Sequence, residues 1–179
     1  MKVHKAIAIP SCVIVFLLNS ASFTASATTT YNYYIDNDDI SGNYSNSKNG
    51  FNTYITGSSL YLNDARTQAS GSSSNVYQWN LGNYSKFSTG TITLKLYAHL
   101  NHTSFTDPRA DYYAHSISEA QVGYLNQNLA PGGWNLIGTT YITPYPSTSN
   151  ACLKGACVRP SNLNGYTTAA DGARLNITL

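Results

Sequence analysis

The segment Arg109-Ala110-Asp111-Tyr112-Tyr113 sets a planar donor, a carboxylate and two phenols within five residues. That set suits a hydroxyl-rich ligand: guanidinium and carboxylate donate to and accept from hydroxyls, and an aromatic face stacks on C–H groups. Adjacent strand residues point to opposite faces, so only one of Tyr112 and Tyr113 is outside, where a strand tyrosine also serves cross-strand packing. Trp134, after the turn Pro131-Gly132-Gly133, and Trp79 are further stacking candidates. The phase of Trp134 with Leu136 and Ile142 equally suits a core position. Asp36, Asp38 and Asp39 offer oxygens for Ca²⁺, a structural ion that takes roughly six to eight of them. Their run lacks the Gly and closing Glu of an EF-hand loop, and turn-forming Asx residues account for it as well. No other cofactor is indicated.

The residues needed for catalysis are sparse. His99, His102 and His115 have aspartates and serines available, but there is no Gly-x-Ser-x-Gly elbow and no His-Glu-x-x-His. Glu119 is the single glutamate, so a glycosidase would have to pair it with an aspartate. The expectation is a binding domain without catalytic residues. A small secreted hydrolase is the third choice, behind a cell-surface adhesion or assembly protein that binds protein or itself.

Met1, Lys2, His4 and Lys5, the apolar run Ala6 to Leu18, and Ala25-Ser26-Ala27 have the order of a cleaved export signal ending at residue 27. The apolar run is shorter than the roughly 20 residues of a membrane span, and no later stretch is long enough either, so a secreted, extracellular domain without a membrane span is expected. Removing residues 1–27 from the 179 leaves 152, a size for one domain. Loss of Lys2 and Lys5 takes ten Lys and Arg to eight, against eight acidic residues. A chain so balanced has no basic stripe for a phosphate backbone, which argues against nucleic acid. In an exported chain, Cys152 and Cys157 are expected to form a disulfide pinning a loop, worth about 2 kcal/mol for so short a closure.

The elements that must position these groups are strands. Thr91–Leu100 alternates most clearly, with Ile92, Leu94, Leu96, Ala98 and Leu100 on one face. Tyr31–Ile35, Phe51–Ile55, Ser58–Leu62, Val76–Asn80, Asp111–Ile117, Ala120–Asn126, Gly132–Ile142 and Ala173–Leu179 read as further strands. Residues 28–30 read as a short linker, and the Pro- and Ser-rich Pro144–Pro160 as an insertion holding the cysteines. Eight or nine short strands without a helical period indicate an all-β sandwich of two antiparallel sheets.

Several of these pieces recur together in a known pattern: Tyr33-Tyr34-Ile35-Asp36-Asn37-Asp38-Asp39, Tyr61-Leu62-Asn63-Asp64-Ala65-Arg66, Val76-Tyr77-Gln78-Trp79, Thr91 to Ala98, Arg109 to Tyr113, Gly132 to Gly138 and Ala170-Asp171-Gly172-Ala173-Arg174-Leu175. Their order resembles the golvesin-like domain, also called the xanthan lyase C-terminal-like domain, over residues 31–179. The resemblance implies a jelly-roll sandwich like that of carbohydrate-binding modules, an accessory without catalytic residues. The cysteine-bearing insertion before the last strand is not part of that pattern. A polysaccharide or cell-envelope glycan is the expected partner, with Arg109, Asp111, Tyr112, Tyr113 and Trp134 as its contacts.

Overall fold

The computed structural model describes residues 28–38, 46–69, 72, 74–88, 90–144 and 151–179. The export signal assigned to residues 1–27 and Asp39 of the acidic run lie outside the described residues. Among the described residues there are twelve strands: β1 (Thr30–Ile35), β2 (Ser47–Asn49), β3 (Thr53–Thr56), β4 (Asp64–Ala69), β5 (Val76–Ser88), β6 (Ile92–Leu100), β7 (Ala110–Ser116), β8 (Glu119–Leu125), β9 (Gly133–Ile142), β10 (Ala151–Arg159), β11 (Thr167–Ala170) and β12 (Ala173–Thr178). A single 3₁₀ turn, Tyr61–Asn63, precedes β4. Among the described residues no helix is long and apolar enough to cross a membrane.

The sheets are antiparallel, in the orders β1-β12-β6-β9, β2-β5-β10-β7-β8 and, smaller, β11-β4-β3. The fold is therefore the expected all-β sandwich, with more strands than the alternation alone had counted. Ile92, Leu94 and Leu96 of β6 and Leu175 and Ile177 of β12 pack against Tyr77 and Trp79 of β5, Tyr112 of β7 and Val158 of β10. Each large aliphatic side chain so buried stabilises the fold by about 1.5–3 kcal/mol. A second, smaller core of Leu60, Ala65, Leu100, Phe105 and Ala169 fills the end of the sandwich beneath the third sheet.

The cysteine expectation is overturned. Residues 151–159 are not a pinned loop but β10, a central strand between β5 and β7, and both thiols are free and buried. Five residues of extended chain span about 16 Å, whereas a disulfide needs Cα atoms within about 7 Å. The near-continuous apolar run is that of a strand covered on both faces. Burial, then the nearby Glu119 carboxylate, pushes the Cys157 thiol up to about 12.

The two larger sheets meet along their edge strands. Val122 is an extra residue in β8, where Tyr112 pairs Gly123 and Tyr113 pairs Gln121. Ile137 is an extra residue in β9, where Leu96 pairs Gly138 and Tyr97 pairs Leu136. The bulges face one another, and a glycine follows each. A Cβ on Gly138 would stand 2.6 Å from the Val122 carbonyl oxygen, and one on Gly123 2.7 Å from the Ile137 carbonyl oxygen. Backbone blocks both positions, so a methyl group forces the sheets apart. Gly138→Ala and Gly123→Ala should each lower unfolding free energy by about 3 kcal/mol. The double variant should lose less than the sum, because one displaced seam relieves both clashes; chemical denaturation of the three variants measures this.

Candidate functional site

A cleft of about 500 Å³ lies at one end of the sandwich, lined by Ser59, Leu100, Asn101, His102, Thr103, Phe105, Gln127, Asn128, Ala130 and Gly132. Its size falls within the range of small-ligand sites. Three loops build it: the turn before residues 61–63, the β6–β7 connection and the β8–β9 connection. Leu100 and Phe105 belong to the smaller core and form its apolar floor. Gly132 closes on Asn101, whose Oδ1 would lie 2.7 Å from a Cβ there.

Buried polar groups fix these loops. Asp107 accepts from the Arg109 and Ser161 backbone N–H groups, each at 2.9 Å, and from the Thr168 hydroxyl. Gln127 donates to Ala169 O at 3.0 Å and to the Tyr112 hydroxyl at 2.8 Å, and its Oε1 accepts from Ala169 N at 2.8 Å. The Ser104 N–H donates to His102 Nδ1 at 3.1 Å, which leaves the proton of a neutral ring on Nε2. With Asp107 and Gln127 occupied below, Ser59, Asn101, Thr103 and Asn128 supply the cleft with amide and hydroxyl groups, and no charged side chain lines it.

Beside the cleft lies an aromatic cluster. Trp134 packs edge-on with Tyr34, Tyr61 and His99, with ring centroids 5.6, 5.1 and 5.2 Å away. Arg174 lies 3.7 Å above the Tyr97 ring. His99 Nδ1 is 2.8 Å from Asp171 Oδ2, and the Tyr61 N–H donates to both carboxylate oxygens, at 3.0 and 3.2 Å. Burial pushes the Asp171 carboxyl above its ordinary value, and the His99 hydrogen bond opposes that. Gly172 leaves room for the rings, since a Cβ would stand 2.6 Å from Tyr61 Cδ1.

The sequence-derived contacts divide three ways. Arg109, Asp111 and Tyr113 share the outward side of β7: Gln121 donates to Asp111 at 3.1 Å, Arg109 lies 5.0 Å over the Tyr124 ring, and Arg159 lies 5.6 Å over Tyr113. Tyr112 is fully buried and bound by Gln127, so it is a core residue, out of reach of a ligand. Trp134 is on the other sheet, half-buried. The Ile137 bulge breaks the phase read from the sequence and turns Trp134 and Leu136 outward while Ile142 stays inside. Of the acidic run, Asp36 is buried and Asp38 is paired with Arg66 at 3.0 Å. Among the described residues no group of three His, Cys, Asp or Glu is placed to hold a metal ion. Asn101 and Asn128 escaped sequence reasoning and His102 was weighed only for catalysis, because two loops far apart in the chain bring them together. The one local signal was the Asp107 turn, an Asx residue accepting from the second N–H along.

No protein-family model matches the sequence, and no curated protein matches it. The solved structure of a Paenibacillus xanthan lyase is similar to this chain. At 20% identity and a TM-score of 0.49, the match covers 80% of this chain and 13% of the lyase.

Buried Asp36 of the acidic run carries a titration of its own. Burial, then the Asp64 carboxylate, raises it from 3.8 to about 7. The folded chain thus holds this proton more tightly than the unfolded chain. The resulting stability is complete below about pH 4 and is lost as pH rises through about 7. Thermal melts across that window should show a falling midpoint, with a contribution of up to about 1.4 kcal/mol per pH unit from this group. Asp36→Asn should remove that part of the slope.

Proposed function

We propose that this chain is an exported carbohydrate-binding domain that holds a neutral saccharide in the end cleft and leaves it chemically unchanged. One observation carries the reading: a concavity of ligand size lined by amides, hydroxyls and one imidazole over an apolar floor. Neutral sugars present hydroxyl donors and acceptors on one edge and C–H groups on the ring face. An amide both donates and accepts, and Phe105 and Ala130 offer the apolar contact. Acid–base cleavage of a glycosidic bond commonly uses a pair of carboxyl groups, and among the described residues none lines this cleft.

The outward strip of Arg109, Asp111, Tyr113 and Tyr124 supplies a second, shallower contact region in this reading, and residues 1–27 serve as the export signal. The test is calorimetric titration of the domain with neutral and uronate-bearing oligosaccharides. Neutral ligands should bind, and Asn101→Ala or Asn128→Ala should weaken binding about tenfold, the equivalent of about 1.4 kcal/mol and near the net worth of one hydrogen bond. Both side chains are exposed, so the fold should survive. Exclusive binding of charged ligands, or wild-type affinity in both variants, sinks the reading.

A further inference from the structure

A second cleft of about 240 Å³ lies at the far end of the β8–β9 seam, lined by Ser116, Ile117, Ser118, Ala120, Tyr141, Ile142, Thr143, Pro144 and Cys152. The first cleft is bounded by the residues that leave β8 and enter β9, Gln127 to Gly132. The second is bounded by those that begin β8 and end β9. The ten residues of β9 connect the two, a distance of about 30 Å at the rise of an extended strand.

Between the clefts, the solvent side of β9 carries Trp134, Leu136, Thr139 and Tyr141. Leu136 is 53% exposed and Tyr141 68%. Residues of this size left outside on a strand make apolar contacts for a ligand in a regular row. The row exists only because the Ile137 bulge turns Trp134 and Leu136 to the outer face, where Thr139 and Tyr141 also point. Among the described residues no side chain lining either cleft is charged, and hydroxyl groups line both: Ser59 and Thr103 at one end, Ser116, Ser118, Tyr141 and Thr143 at the other.

We infer that the two clefts and the β9 row between them are one continuous track for an extended neutral polysaccharide, gripped along several sugar units rather than by a chain end. This rests on the saccharide reading of the first cleft. A ligand long enough to reach both clefts gains the second contact as an intramolecular event, so affinity climbs with chain length without any new chemistry.

The experiment is titration of the full domain with size-fractionated cello-, manno- and xylo-oligosaccharides, from disaccharide to octasaccharide. In the series that binds, affinity should rise about a hundredfold from the shortest to the longest. Tyr141→Ala and Leu136→Ala, both at exposed positions, should weaken the octasaccharide about tenfold, and Leu136→Ala, which lies outside both clefts, should leave the disaccharide unchanged. Asn128→Ala should weaken both. Affinity that is flat with length, or an octasaccharide indifferent to Tyr141 and Leu136, overturns the track while leaving the end cleft in place. Failure of every neutral saccharide, short and long, removes both readings.

Discussion

Asp171 is the point on which the architecture closes. Its carboxylate receives the Tyr61 N–H and the imidazole of His99, and its carbonyl oxygen accepts the Trp79 indole N–H at 3.0 Å. Those partners come from different layers: His99 from the four-stranded sheet, Trp79 from the five-stranded sheet, and Tyr61 from the turn leading into the smallest. A carboxylate taken out of water is costly unless its lone pairs are occupied, and here the occupants are fixed backbone and ring donors. The same contacts hold Tyr61 and His99 against Trp134. The aromatic wall next to the end cleft and the joint between sheets are therefore one arrangement.

The strand β6 was legible because one face lies against a core and the other against water, the condition under which a period of two appears. Its five alternating apolar residues are all buried. β12 reads the same way through Ala173, Leu175 and Ile177. The assignment of one of Tyr112 and Tyr113 to the interior was equally a consequence of the pleat. β10 was illegible for the opposite reason: covered on both faces, it lost its alternation, and its two cysteines suggested a pinned loop. In β9 a single inserted residue shifted the phase. The one mark of that insertion within Trp134 to Ile142 is Gly138, where a Cβ would meet the Val122 carbonyl oxygen of a strand in the other sheet.

The end cleft was hidden by a different mechanism. Its floor depends on Asp107 and Gln127, two polar side chains that are almost wholly buried. Each acts as a local substitute for sheet pairing: Asp107 satisfies the loop N–H groups of Arg109 and Ser161, and Gln127 satisfies Ala169 on the edge strand β11. A polar residue in a polar loop gives no linear hint that it faces inward. Only the requirement that buried N–H and C=O groups be paired explains why these positions hold Asp and Gln.

The acidic side chains of the described residues share this structural use. Asp38 is bound to Arg66, Asp64 accepts the Tyr54 hydroxyl at 3.0 Å, Asp111 accepts from Gln121, and Glu119 receives Arg159 at 2.8 and 3.1 Å. Asp107 and Asp171 are saturated by backbone, hydroxyl and ring donors, and Asp36 is held near the neutral form by burial. The cleft that remains for a ligand is the part of the molecule from which charge has been withdrawn. The acids thus serve as fasteners, Asp107 and Asp171 inside and Asp38, Asp64, Asp111 and Glu119 at the surface, while amides and hydroxyls line the open end.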